Sequence, residues 1–300
     1  MKKFFLLLVA MISVSAHAQN DSNAPERKNW DRDALYGDVK SVTIIEQEMD
    51  FYDNFNTTSE EIIKFNQSGD VTEYCFDDPY EGTLKYQYIY GNNRNTLEII
   101  GYNSKGSIIG KIIYTYNERG QNDRIKDVHE NKTYANEYDD DDNLTYQAIY
   151  NAAGEMISSY KSIYDAKGNM IEEIDFDGRG RLQRRVKYKY NEKGLKTESI
   201  TYNNTDAIVE ESYIIYDNNG NAIKTTEYKL SGNSRDCTVY TFTYDTKGRV
   251  IEQYVYIGDS QEKFVFSYDS HNNRVLTRYY AGDKESLYLR TQTIYKIQYR

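Results

Sequence analysis

The sequence predicts an all-β repeat protein, a long antiparallel meander built from two-turn repeats. Three observations carry that expectation: a recurring Tyr-Asn/Asp-x-x-Gly motif, its regular spacing, and alternation of apolar and polar residues between copies. The composition agrees, with 32 tyrosines against two prolines and one tryptophan. Aromatic and β-branched residues suit a pleated, half-buried surface.

The motif is an aromatic, then Asn or Asp, then Gly three residues later. Full copies begin at Phe65, Tyr102, Tyr116, Tyr150, Tyr164, Phe176, Tyr190, Tyr216 and Tyr244. Weaker copies begin at Tyr90, Tyr138, Tyr202, Tyr228, Tyr256, Tyr268 and Tyr280. From Tyr150 to Tyr228 the steps alternate between 14 and 12 residues, so one 26-residue repeat holds two turns. After Tyr244 the steps settle to 12, and one turn is obscure, near Val128 to Asn131. An Asn or Asp opening a turn caps it with its own side chain, and the Gly accepts the left-handed backbone that a bulged hairpin needs. The spacing leaves about seventeen strands of roughly 8 residues, each paired with its sequence neighbours.

In chain order, residues 1–18 read as a secretory signal peptide. Lys2 and Lys3 precede the apolar run from Phe4 to Ile12, and Ala16-His17-Ala18 offers a cleavage site. Residues 19–34 read as a flexible leader, and 35–300 as a single repeat domain opening with Leu35-Tyr36-Gly37-Asp38-Val39-Lys40-Ser41-Val42. The first cysteine, Cys75, lies far from the cleavage site, so a lipid-modified N-terminus is not expected, and the chain is placed in the periplasm, at the cell surface or outside. Cys75 and Cys237, 162 residues apart, sit many strands from each other in such an array and are expected as unpaired or buried thiols.

Several strands show which side is wet. In Leu182 to Tyr190 the even positions carry Leu182, Val186, Tyr188 and Tyr190, and the odd positions carry Gln183, Arg185, Lys187 and Lys189. Tyr86, Tyr88 and Tyr90 make a similar stripe, as do Phe264, Phe266 and Tyr268. Ser212 to Tyr216 is apolar on both faces and is expected among the most covered strands. A one-sided sheet of this length must twist and curl, whether into a spiral, an open barrel or a wrapped sheet.

The segments Tyr164-Asp165-Ala166-Lys167-Gly168-Asn169, Tyr216-Asp217-Asn218-Asn219-Gly220-Asn221 and Tyr244-Asp245-Thr246-Lys247-Gly248-Arg249 resemble the YD repeats of RHS-type proteins. Secreted repeat proteins of the Bacteroidota are similar over residues 35 to 300, including the opening Leu-x-Gly-x-Val-Lys-Ser-Val segment. Large relatives curl into shells around a toxic cargo, and some YD repeats are described as carbohydrate-binding. This chain is far shorter than the shell-formers, and no functional residue carries over, because the matched motif is a turn motif.

Chemistry is sparse. His129 and His271, outside the signal segment, fall in polar turns, and no nucleophile elbow, phosphate loop or zinc-protease motif is present. An enzyme is not expected. Losing Lys2 and Lys3 takes the net charge from −10 to −12, which disfavours nucleic acid, and no later segment is long enough to insert in a membrane as a helix. No cofactor is expected beyond a calcium candidate at Asp139, Asp141 and Asn143, where several oxygens gather; a second acidic spot is Asp175 to Gly178. Tyrosines outside the turn register, Tyr80, Tyr213 and Tyr279, are the ligand candidates, while the anchor tyrosines are assigned to the core with their hydroxyls at a wet rim. The expected function is a non-enzymatic binding or scaffold protein for a protein or surface-polymer partner. The alternative is carbohydrate binding through exposed aromatics.

Overall fold

A computed structural model describes residues 35–232 and 234–300. The signal peptide and leader expected for 1–34 lie outside the described residues. The strands are β1 (Val39–Met49), β2 (Phe55–Phe65), β3 (Val71–Asp78), β4 (Gly82–Tyr90), β5 (Thr96–Tyr102), β6 (Ile108–Tyr116) and β7 (Asn122–Asp127). Then come β8 (Lys132–Tyr138), β9 (Leu144–Tyr150), β10 (Met156–Tyr164), β11 (Met170–Asp177), β12 (Leu182–Tyr190), β13 (Lys196–Asn203) and β14 (Ile208–Tyr216). The last are β15 (Ala222–Ser231), β16 (Ser234–Tyr244), β17 (Val250–Ile257), β18 (Ser260–Tyr268), β19 (Arg274–Asp283) and β20 (Leu287–Tyr299). Twenty strands thus replace the expected seventeen. The motif count passes over hairpins that turn without it, at Asp50 to Asn54, at Asp78 to Gly82 and at the obscure turn from Val128 to Asn131.

Each strand pairs antiparallel with its sequence neighbours, and β1 also pairs with β20, from Val39 opposite Tyr299 to Glu48 opposite Thr291. The meander is therefore a closed barrel. Directly opposed residues share a face, so the pairings can be followed around the ring. Val42 and Ile44 oppose Ile63 and Glu61 on one side and Ile297 and Tyr295 on the other. The face that starts inside returns inside.

That inner face carries the buried apolar side chains of the strands, with Ile45 and Ala148 as exceptions. Tyr74, Phe76, Leu84, Tyr86, Ile99, Ile112, Tyr114, Ile125 and Tyr134 form one cluster, and Leu35, Val39, Val42, Phe65 and Val71 a second. Both belong to the first eight strands and the residue leading into them. From β10 to β18 the same face mixes polar groups with scattered apolar ones such as Val186, Val255 and Phe264. Glu173, Asp175, Arg184 and Tyr188 meet there, with Tyr188 donating to Glu173 at 2.6 Å. Val186 is buried and Lys187 and Lys189 are exposed, as the alternation of that strand predicts. Ser212 to Tyr216 is not among the most covered strands. Ile215 lies on the outer face, opposite Lys224, and is 53% exposed because nothing layers over the barrel wall.

The motif turns are built as expected. Asp165 Oδ1 accepts the N–H groups of Lys167 and Asn169, the Asn169 amide donates to Oδ2, and Gly168 takes φ +79. The missing Gly of the weaker copies has two explanations. At Asp142 and Asn272 a short polar residue itself adopts the left-handed conformation. After Ile257 a two-residue hairpin turn connects Ile257 to Ser260, so the motif is not needed.

The anchor tyrosines were expected in the core. Tyr102, Tyr150, Tyr202, Tyr228, Tyr256 and Tyr280 instead lie on the outer face, because strands that end at their rim present the residue before the turn outward. The anchors of the opposite rim close it in an unanticipated way. Their hydroxyls are not left to water. Tyr90, Tyr116, Tyr138, Tyr164, Tyr190, Tyr216, Tyr244 and Tyr268 end alternate strands, and each donates to the first carbonyl of the preceding strand. Tyr190, for example, reaches Met170 O at 2.7 Å. The register slips by one residue at each of these tyrosines, next to the turn. At β2 the anchor is Phe65, which has no hydroxyl, and the Arg300 guanidinium contacts Val39 O, Phe65 O and Asn66 O instead. At β19 and β20 the Tyr299 hydroxyl donates to Asp269 and accepts from Asn273. The buried Asn273 side chain also pairs with both backbone groups of Tyr36, like an added strand residue.

Two tests follow from this rim. Asn273→Ala leaves the Tyr36 peptide groups unpaired and is expected to cost roughly 2–4 kcal/mol, whereas Tyr190→Phe removes one bond and costs about 1 kcal/mol, both by urea unfolding. The turn carboxyls give a pH signature. The hydrogen bond from Arg181 holds Asp177 down to about 2, and Asn169, Asn221 and Arg249 lower Asp165, Asp217 and Asp245 in the same way. Depressed folded-state values confer stability that is complete above the unfolded value of about 4 and is lost as pH falls toward about 2. Melting temperature should be flat from neutral pH to about 5 and drop below about 4, less steeply in Asp177→Asn.

Candidate functional site

The structure separates the residues that sequence reasoning grouped as ligand candidates. Tyr80 stands in the turn between β3 and β4. Tyr213 lies on the outer face of β14, edge-on to Tyr228 at 6.3 Å, and Tyr279 lies on the inner face of β19, 5.0 Å from Phe264. Three tyrosines occupy three different surfaces, so no single ligand bridges them.

Asp139, Asp141 and Asn143 do share a place, beside a shallow depression of about 530 Å³ also lined by Thr145, Lys161 and Asp165. Yet Asp139 is engaged as a turn cap: Oδ1 accepts from Asp141 N and Asn143 N, and Oδ2 from the Asn143 amide at 3.0 Å. Those bonds, the Asn143 amide first, lower its pKa. Arg119 donates to Asp139 O and Asp140 O and pairs with Asp142, filling the cluster's charge from a neighbouring turn. Among the described residues no group of three or more His, Cys, Asp and Glu converges on a metal position. Cys75 and Cys237 are both free, half-buried and exposed respectively. His129 and His271 sit at opposite rims, the latter stacked on Tyr299 at 4.3 Å.

The strongest asymmetry is between the rims. At the clasped rim, anchor rings are packed and hydroxyls bonded. At the far rim, Phe51 is 106%, Tyr52 86% and Tyr80 95% exposed. Asp50 positions the first pair by accepting from Tyr52 N and Asn54 N, and Asp78 positions Tyr80 by accepting from Tyr80 N and Glu81 N. The backbone of these tips is therefore fixed while the rings stand in water. Tyr288, 61% exposed, continues the arc; three residues beyond the Thr291–Glu48 pair, it is level with Phe51 in register. Sequence reasoning found Tyr80 and missed Phe51 and Tyr52. The available signal was an aromatic pair inside an Asp-rich turn, Asp50-Phe51-Tyr52-Asp53, where a turn needs no apolar residue.

The outer wall is wet. Lys64–Glu73, Lys111–Glu98, Lys189–Glu198 and Lys263–Glu252 pair across adjacent strands on that face at 2.5–2.9 Å, and Arg235 of β16 reaches past β15 to Glu211 of β14 at 2.6 Å. Surface rings are repeatedly covered by cations of the chain, with Arg235 3.8 Å from the Tyr228 centroid, Arg185 5.0 Å from Tyr202 and Lys263 5.1 Å from Tyr254.

No family model matches the chain, and no curated protein matches it either. Among solved structures it is similar to a TcdB2–TccC3–Cdc42 crystal structure, with TM-score 0.45 and 12% identity over 83% of this chain, although it spans only 14% of that one. A porin-like protein from Bacteroides uniformis gives TM-score 0.41 and 9% identity, covering 87% of this chain and 96% of that one. A porin-like protein from Bacteroides vulgatus gives 0.22 and 12%, covering 87% and 98%. None reaches a TM-score of one half, and none says what this chain does.

If Asp139 is a turn cap, Asp139→Ala lowers the melting temperature by the same few degrees in EDTA and in millimolar calcium. A loss seen only with calcium would restore the metal reading.

Proposed function

We propose that this chain is a non-enzymatic binding scaffold of an exported compartment, a rigid barrel that presents its far rim to a protein or surface-polymer partner. The observation that carries this reading is the set of fully exposed rings at Phe51, Tyr52 and Tyr80, held on capped turns. Exposed apolar groups concentrated at one end mark an interaction site.

The wet outer wall supports a barrel in water rather than in lipid. A membrane barrel turns an apolar band outward, and a Lys or Arg at mid-bilayer costs roughly 2–4 kcal/mol. Here charged pairs such as Lys189–Glu198 recur on that face. No helix among the described residues is long and apolar enough to cross a membrane. Export rests on the N-terminal pattern of Lys2 to Ala18, and the Tyr-Asn/Asp-x-x-Gly repeat supports kinship with YD-type repeat proteins. The polar turns around His129 and His271 and their separation support a non-catalytic role.

The test is a pull-down from envelope extract with residues 19–300, run beside a glycan array and the variant Phe51→Ser/Tyr52→Ser/Tyr80→Ser. An enriched protein or polymer that the variant loses is expected. Capture that the variant leaves intact, or turnover of a substrate by the wild type, would overturn the reading.

A further inference from the structure

The exposed far-rim rings lie in an acidic field. The two turns that carry Phe51, Tyr52 and Tyr80 also carry Glu48, Asp50, Asp53, Asp77, Asp78 and Glu81, and no Lys or Arg occurs from 47 to 57 or from 76 to 83. The hairpins are neighbours through β2 and β3. Because Phe76 opposes Glu61 while Met49 opposes Phe55, the β1–β2 tip stands about five residues, roughly 15 Å, beyond the β3–β4 tip, each tip carrying its own carboxylates.

Elsewhere this protein shows what its surface rings take. Tyr102, Tyr202, Tyr228 and Tyr254 each lie under a Lys or Arg of the same chain. Tyr288, the rim aromatic level with Phe51, has Arg290 at 5.9 Å. Among the described residues, Phe51, Tyr52 and Tyr80 have rings that nothing covers, next to carboxylates that form no ion pair with a Lys or Arg of the chain.

Building on the binding reading above, we propose that the far rim is a docking site for a basic protein segment, one that places Arg or Lys over these rings with apolar side chains between them. A cation over an exposed ring contributes modestly by itself. Rings set beside carboxylates on two neighbouring tips give an extended segment several such contacts and also steer a positively charged partner toward this end. A polysaccharide is disfavoured because the caps Asp50 and Asp78 have already committed oxygens to backbone N–H groups, leaving fewer acceptors for sugar hydroxyls. An anionic membrane is disfavoured by the same acidic field.

Fluorescence anisotropy of a short labelled peptide of alternating Arg and Leu, titrated with residues 19–300 at low and physiological salt, tests this. The Arg peptide is expected to bind and to weaken with salt, while its Glu counterpart does not bind. Phe51→Ser/Tyr52→Ser/Tyr80→Ser should weaken binding about tenfold or more. Asp53→Asn/Glu81→Gln, which spares both caps, should weaken it and flatten the salt dependence. Leu97→Ser/Ile171→Ser at the clasped rim should do neither. Unchanged circular dichroism and melting temperature establish that each variant is folded. Absent Arg-peptide binding, equal binding of the Glu peptide, or an unaffected ring variant overturns the proposal. Ring-dependent binding of cellohexaose or phosphatidylcholine vesicles in place of the peptide overturns it as well. A partner from extract that needs the rings but is acidic or a polymer sinks the basic-segment assignment alone and leaves the scaffold reading standing.

Discussion

The clasp between an anchor tyrosine and the first carbonyl of the preceding strand is the interaction on which the barrel depends. A hairpin held only by its turn and ladder can splay or slip by a residue, and a slip of one inverts both faces. The hydroxyl of Tyr116 or Tyr190 fixes the strand ends next to the register change that the bulge introduces. Repeated around one rim, the bond turns a series of hairpins into equivalent modules. Where the repeat lacks a hydroxyl, at Phe65, a guanidinium from residue 300 supplies the donor. The repair comes from the far end of the chain, so the same residue that completes the first module also holds the closing seam.

Closure in turn explains why a sheet with so modest a core is stable. The buried apolar clusters span only the first eight strands, and the rest of the inner face mixes single apolar residues such as Val186 and Val255 with groups such as Glu173, Arg184 and Tyr188 that need hydrogen bonds rather than apolar cover. An open sheet of this kind would expose unpaired edges and a half-polar concave face. Pairing β1 with β20 removes both edges at once, and Asn273 extends the pairing by one residue through Tyr36. Ladder hydrogen bonds and turn caps therefore carry a larger share of the stability than in a sandwich with two apolar faces.

Much of this was legible in the sequence, because the turn motif and the period-2 stripes are local. Tyr86, Tyr88 and Tyr90 line one face as read, and the strand from Leu182 to Tyr190 alternates as read. Closure was not legible. It joins residues such as Val42 and Ile297, and no periodicity says whether a curled meander meets itself. The error at Ser212 to Tyr216 has the same root: hydrophobicity on both faces was taken as cover from both sides, but a barrel wall has one inside, and Ile215 faces out. The ligand candidates failed to converge for a related reason. Registers distinguish faces within a strand, not positions around a ring, so Tyr80, Tyr213 and Tyr279 could be separated from the anchors without being near one another.

The difference between the two rims follows from how each kind of turn is stabilised. At the clasped rim the aromatic sits before the turn, where its ring can lie against the wall and its hydroxyl can reach a neighbouring strand. At the far rim, the turns at Asp50 and Asp78 place the aromatic inside the loop, one or two residues after the capping carboxylate, where no neighbouring strand comes within reach. A turn gains nothing from a phenyl ring so placed, and a solvated Phe51 lowers solubility. The Asp caps hold the loop without help from those rings. In the docking proposed above the rings act on something outside the chain, and the carboxylates beside them favour a positively charged partner.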